Sequence, residues 1–338
     1  MKKILFAAVA VIAMAACSNE DVISRPALPM IGFDTFVENS TRANDLVKGE
    51  FDFGVFGLVE KGDNSALIFD NQKVNADGSY GPAQYWIAAA QYYFTAIAPY
   101  TNANWTYTTT NAHSGTITFD NSAAAANQDL IFAYNKPAQT PTAITAQPAK
   151  VGFTFNHMLS RVRFTFTNGF GEGSNIKLEV YDVTITDAYA TAELAVADGT
   201  PATNWTKFGG TFSKNFGQVG GNTLATLVDA VTVDGETMSA STEHFYLIPA
   251  DKAYNVKFKV DLYQAGVKLD TYARTATIPA ADMQRGKSYD IKTTLTAKNT
   301  SDDGQLWPIE FTVDAVTGWT DPATDVTGTV NQPTTGNN

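Results

Sequence analysis

Apolar and polar residues alternate with a period of two along most of the chain, the spacing of half-buried strands rather than helices. Ile31, Phe33, Thr35 and Val37 share a face in a strand predicted over 29–38. The next run, FDFGVFGLV, places Phe51, Phe53, Val55 and Val59 in phase. YYFTAIAPY (92–100), WTYTTT (105–110), GTITF (115–119) and LIFAY (130–134) follow at hairpin-like intervals. Asn75-Ala76-Asp77-Gly78-Ser79 is turn chemistry between Val74 and Tyr80. KPAQTPTAITAQPAK (136–150) carries three prolines and little bulk, and reads as the linker between two halves.

The second half opens with Val151, Phe153 and Phe155 on one face, a short polar turn, then Val162, Phe164 and Phe166. Ile176, Leu178 and Val180 are in phase, but the pattern then slips one residue to Val183 and Ile185, which predicts a β-bulge at Tyr181-Asp182. Residues 199–243 are Gly-rich and read as a long irregular insertion on one edge. FYLIP (245–249), YNVKFKVDLY (254–263), VKLDTYARTATIP (267–279), SYDIKTTLT (288–296) and WPIEFTVDAV (307–316) complete the strands. Many short strands at this spacing predict an all-β chain built as a pair of sandwiches.

Composition agrees. Only 17% of the 338 residues are charged, while Thr alone fills 43 positions, a bias toward sheet. The net charge of −11, or −13 once Lys2 and Lys3 are removed with the leader described below, repels a phosphate backbone and argues against nucleic acid as a partner. One cysteine excludes an intrachain disulfide framework and a Cys-rich zinc site, and three histidines (His113, His157, His244) leave little for a His-based metal site. No G-x-S-x-G, H-E-x-x-H or phosphate-cradling glycine loop is present, so no catalytic, cofactor or metal residue is assigned and the chain is read as not an enzyme. His157, beside Met158 and Leu159, reads as a structural histidine; Asn75, Asp77 and Ser79 lack the Gly and Glu positions of a calcium loop. Trp86, Tyr92, Tyr93, Trp105 and Tyr107 suit either core packing or stacking on sugar faces.

The N-terminus assigns a destination. Lys2 and Lys3 precede an uncharged run from Ile4 to Ala16, too short to span a bilayer but suited to a signal peptide. Met14-Ala15-Ala16-Cys17 resembles the lipobox of bacterial lipoproteins, with Met in place of the usual Leu; that resemblance implies cleavage before Cys17 and acylation of its thiol. Acyl chains hold a protein at a membrane by about 0.8 kcal/mol per buried CH₂. Glu20-Asp21 resembles the export tag of surface lipoproteins in Bacteroidetes.

Several separated motifs then carry a family resemblance: the lipobox, the strand IGFDTFVE, Ser40-Thr41-Arg42-Ala43, the strand at 53–57, FNHMLSRVRFTF (155–166), FYLIP (245–249), GKSYDI (286–291) and WPIEFTVDAVTGW (307–319). Their order and spacing resemble the fimbrillins of Bacteroidales, the FimA- and Mfa-like lipoprotein precursors of type V pilus subunits. The resemblance implies two transthyretin-like Greek-key β-sandwich domains behind a lipoprotein signal, and export through the periplasm to the outer membrane and surface fimbrium. It also implies cleavage by a trypsin-like protease after an arginine, for which Arg42-Ala43 is the matching bond, and polymerisation with other fimbrial subunits, like or unlike. The expected division is a signal peptide at 1–16 and a lipidated tether at 17–28. An N-terminal domain at 29–140 follows, with its first strand, 29–42, removed by proteolysis. A linker at 141–150, a C-terminal domain at 151–319 and a polar tail at 320–338 complete it.

Removing a strand leaves unpaired backbone groups and uncovered apolar pockets, which a neighbour's strand can refill by β-augmentation. Ile31, Phe33 and Val37 form the withdrawn face, together roughly 5–8 kcal/mol of burial. Ile309, Phe311 and Val313 are assigned to the subunit's own sandwich, which leaves only Val326 and Val330 in the tail as a weak donor and points to a tip or accessory subunit. The competing reading is a surface lipoprotein that binds glycans without polymerising.

Overall fold

The computed structural model describes residues 28–37, 51–101, 104–111, 113–122, 128–170, 174–216, 223–227, 239–301 and 309–316. Cys17, Arg42 and Ala43 lie outside the described residues, and so does the tail at 320–338.

The described chain forms nineteen strands and no helix. In the first part these are β1 (Phe33–Val37), β2 (Phe53–Lys61), β3 (Asn64–Val74), β4 (Gln91–Ala98), β5 (Trp105–Asn111), β6 (Ser114–Asp120), β7 (Ile131–Asn135), β8 (Val151–His157) and β9 (Ser160–Asn168). They continue with β10 (Ile176–Ala197), β11 (Thr200–Pro201), β12 (Thr206–Asn215), β13 (Thr223–Leu227), β14 (Ser239–Ser241), β15 (Phe245–Leu247), β16 (Asp251–Gln264), β17 (Val267–Asp282), β18 (Ser288–Leu295) and β19 (Thr312–Val316).

Three sheets result. Six strands pair in the order β1-β8-β7-β4-β2-β3. An eight-stranded sheet has the path β17-β16-β10-β6-β5, with β11, β12 and β13 also on β10, and a third sheet runs β14-β9-β18-β19 with β15 on β9. The inner strands β2 and β4 of the six-stranded sheet are buried on both faces. Phe53, Val55 and Val59 of β2 enter one core with Phe33, Phe94 and Phe153, whereas Phe56 of the same strand enters a second with Ile97, Ile117, Phe119, Leu194 and Val196. A third core lies between Val162, Phe164, Phe166 and Ile291 on one side and Leu178, Val180, Val256 and Phe258 on the other. β10 reaches two of these cores: its first half supplies Leu178, Val180 and Ile185 to the third, and its second half supplies Leu194 and Val196 to the second.

The expected bulge is present. Tyr181 pairs with Lys259 and Thr184 with Lys257, so β10 uses one residue more than β16 across that step, and Asp182 takes φ +55°. The extra residue lets Val180 and Val183 both point inward, each fully buried.

Two expectations differ from the structure. Sheets do not divide at 151, because β8 joins the first sheet between β1 and β7. The proline-rich stretch before it is packed along that sheet: Thr140 N donates to Ala90 O at 2.9 Å, Ala89 N donates to Pro141 O at 2.9 Å, and Ile144 lies against the first core. Residues 199–243 are not irregular throughout, since β12 pairs with β10 from Thr184↔Asn215 to Glu193↔Thr206. Glycine content misled there because a strand with little bulk can still complete a ladder.

Candidate functional site

The first strand stands at one edge of the six-stranded sheet. IGFDTFV alternates, and the structure buries the odd positions: Ile31 is 0%, Phe33 1% and Thr35 7% exposed. β1 is an edge strand and runs parallel to β8, in register from Phe33↔Val151 to Val37↔Phe155. Val37 thus occupies the last paired position of β1, and its side chain is not among the described ones.

Toward its start the segment is gripped on both sides. Val151 N donates to Gly32 O at 2.8 Å, while across the strand Ile31 N donates to Gln84 O at 2.8 Å and Trp86 N to Pro29 O at 2.9 Å. Met30 and Tyr85 form an antiparallel bridge. Two side chains add donors: the Tyr80 hydroxyl to Ile31 O at 2.6 Å, and Gln147 Nε2 to Met30 O at 2.7 Å. Burial pushes the Tyr80 hydroxyl above the ordinary tyrosine value, so it keeps its proton and remains a donor. The turn at 75–79 passes close by. Gly78 has φ +84°, and a Cβ there would come within 2.9 Å of Phe33 O, so this turn needs glycine for both conformation and clearance.

Phe33 is the anchor. Its ring stands among those of Phe69, Tyr80, Phe94 and Phe153, at centroid distances of 5.4, 5.4, 5.8 and 5.7 Å, the last stacked at 18°. Burial of Ile31 and Phe33 contributes about 3–6 kcal/mol. The outward side of the same ribbon is apolar too: Leu28, Met30, Tyr85 and Ile87 are exposed by 44–65%.

The other sequence candidates resolve as structure. Trp86, Tyr92, Tyr93 and Trp105 are buried, and Tyr107 packs against Phe56 at 5.0 Å, so these rings do not form an open sugar-stacking platform. His157 Nδ1 lies 2.7 Å from Asp129 Oδ2, both buried, a tie between β8 and the residues leading into β7. His113 Nε2 meets Asp198 Oδ1 at 3.0 Å between two turns. The Asn75–Ser79 oxygens are used internally, Asn75 Nδ2 donating to Ser79 Oγ and Ser79 N to Asp77 Oδ1. Among the described residues no group of three or more His, Cys, Asp or Glu is placed to hold a metal ion. Ile309 and Phe311 are buried in the third core and Val313 packs against it, so this segment serves its own sandwich as expected. Sequence reading missed Tyr80, Gln84 and Gln147, because their role is to meet backbone of a strand more than 45 residues away and no local pattern announces it.

A family model described as fimbrillin-like matches residues 41–313, a stretch that begins after β1. A fimbrial protein from Bacteroides vulgatus superposes with a TM-score of 0.53 at 16% identity, covering 86% of this chain and 100% of that one. Candidate cell adhesion proteins from Bacteroides ovatus and Bacteroides uniformis each align at 15% identity and a TM-score of 0.47, covering 88% of this chain and 99% of theirs. No curated protein matches.

Proposed function

The chain belongs to the fimbrillin-like family, and from that premise we propose that it is a structural or adhesive subunit of surface fimbriae, exported as a lipoprotein through Cys17, cleaved after Arg42, and assembled when a neighbour's strand takes the place of residues 29–42. The observation that carries the reading is β1 itself. It is an edge strand, and Phe33 within it and Ile31 just before it are buried in the first core. Its departure leaves the first sheet with a vacated edge on β8 and an uncovered aromatic pocket, the two things a donor strand supplies. An open, head-to-tail series of such contacts makes a filament rather than a closed ring. A tip or accessory position fits a tail whose large aliphatics are only Val326 and Val330. Burial of Trp86, Tyr92, Tyr93 and Trp105 removes the support for the glycan-binding alternative.

The test is trypsin treatment of precursor mixed with the other fimbrial subunits, followed by gels in SDS without heating. The expected result is a ladder of stable multimers from the wild type and none from Arg42→Ala. A ladder from Arg42→Ala, or monomer alone from both in the presence of the other fimbrial subunits, would overturn the proposal.

A further inference from the structure

The cleft that β1 fills is selective. At its deepest point, four rings surround Phe33. Those rings stand on β3, β4 and β8 and on the turn before Gln84, so they are held by separate elements and collapse poorly around a smaller side chain. One position earlier the wall is soft: a Cβ on Gly32 would come within 3.1 Å of the Lys150 side chain, which is exposed and can swing aside. The remaining grips, from Tyr80 and Gln147, take backbone carbonyls and are indifferent to the incoming side chains.

We infer that the strand replacing β1 must present an aromatic ring in register with Val151, and that residues 320–338 of a second copy of this chain are not that strand. The inference rests on the reading of β1 as a replaceable strand. Residues 320–338 contain no aromatic residue, and Val326 and Val330 flank Gly328 with a threonine on each side of it. A second copy's residues 29–37 fit by construction, yet they are the residues that processing removes.

The experiment uses precursor nicked by trypsin, with the freed N-terminal peptide removed in mild denaturant. Binding of labelled synthetic peptides is then read by fluorescence anisotropy. Peptide 29–37 is expected to bind, its Phe33→Ala version about 100-fold more weakly or worse, and peptide 320–338 not at all. Phe33→Ala binding within about threefold of the parent, or peptide 320–338 binding as well as 29–37, would overturn the inference while leaving the replaceable strand intact. Failure of peptide 29–37 itself to bind would instead refute the replaceable strand, and the specification with it.

Discussion

Phe33→Ala tests the seating of β1 most sharply. The substitution empties a site bounded by the rings of Phe69, Tyr80, Phe94 and Phe153 and fully closed to solvent. A buried Phe→Ala change costs about 3–5 kcal/mol, the upper part applying where the walls cannot close in. Because β1 is held at an edge, the cost falls on the local equilibrium between seated and detached strand before it reaches the whole fold. Native-state hydrogen exchange reads this directly. The amides of Ile31, Trp86 and Val151, bonded to Gln84 O, Pro29 O and Gly32 O, are expected to exchange about 100- to 3,000-fold faster in the variant. Amides of β18, in the third core, are expected to be unchanged. Acceleration under tenfold at all three sites would refute the anchoring role of Phe33, and equal acceleration in β18 would refute the separability of β1.

Other outcomes follow from single groups. Tyr80→Phe removes the donor to Ile31 O and is expected to lower stability by about 1 kcal/mol in urea titration, with no effect if β1 is held by its ladder alone. Burial among Phe212 and Phe245 lowers Lys214 from its ordinary 10.5 to about 8. The unfolded chain therefore binds more protons than the folded one between pH 8 and 10.5, and the burial penalty is full below pH 8 and relieved as pH rises through that window. Lys214→Met is accordingly expected to stabilise the fold at pH 7 and to flatten the rise from pH 7 to 9.5, and a parallel pair of pH curves would contradict this. Cys17→Ser is expected to leave an uncleaved or soluble precursor, whereas a variant that still pellets with outer membrane through carbonate washing would contradict lipidation.

Much of this was readable from the chain because a half-buried strand writes its burial into alternate positions. Ile31 and Phe33, the phenylalanines of β2 and β8, and the bulge at Asp182 all follow from period-two spacing and its one slip. Pairing partners did not follow. β1 and β8 are adjacent in a parallel ladder though more than 110 residues apart in sequence, and alternation is the same whichever neighbour a strand takes. The prolines at 137, 141 and 148 suggested a boundary because proline interrupts ladders, but here the stretch crosses the face of a sheet and β8 returns to it. The second half of β10 was invisible for a related reason: TDAYATAELAVA is rich in alanine, and Ala188 and Ala192 are buried with too little bulk to mark a face.

The central claim is that residues 29–42 are absent from the working form of the subunit and that another strand stands in their place. Mass spectrometry of this protein taken from filaments sheared off intact cells measures that directly. The account predicts a mature N-terminus at Ala43, with no peptide covering Ile31–Val37 attached to it. A chain recovered from filaments with residues 18–42 still covalently joined would contradict it.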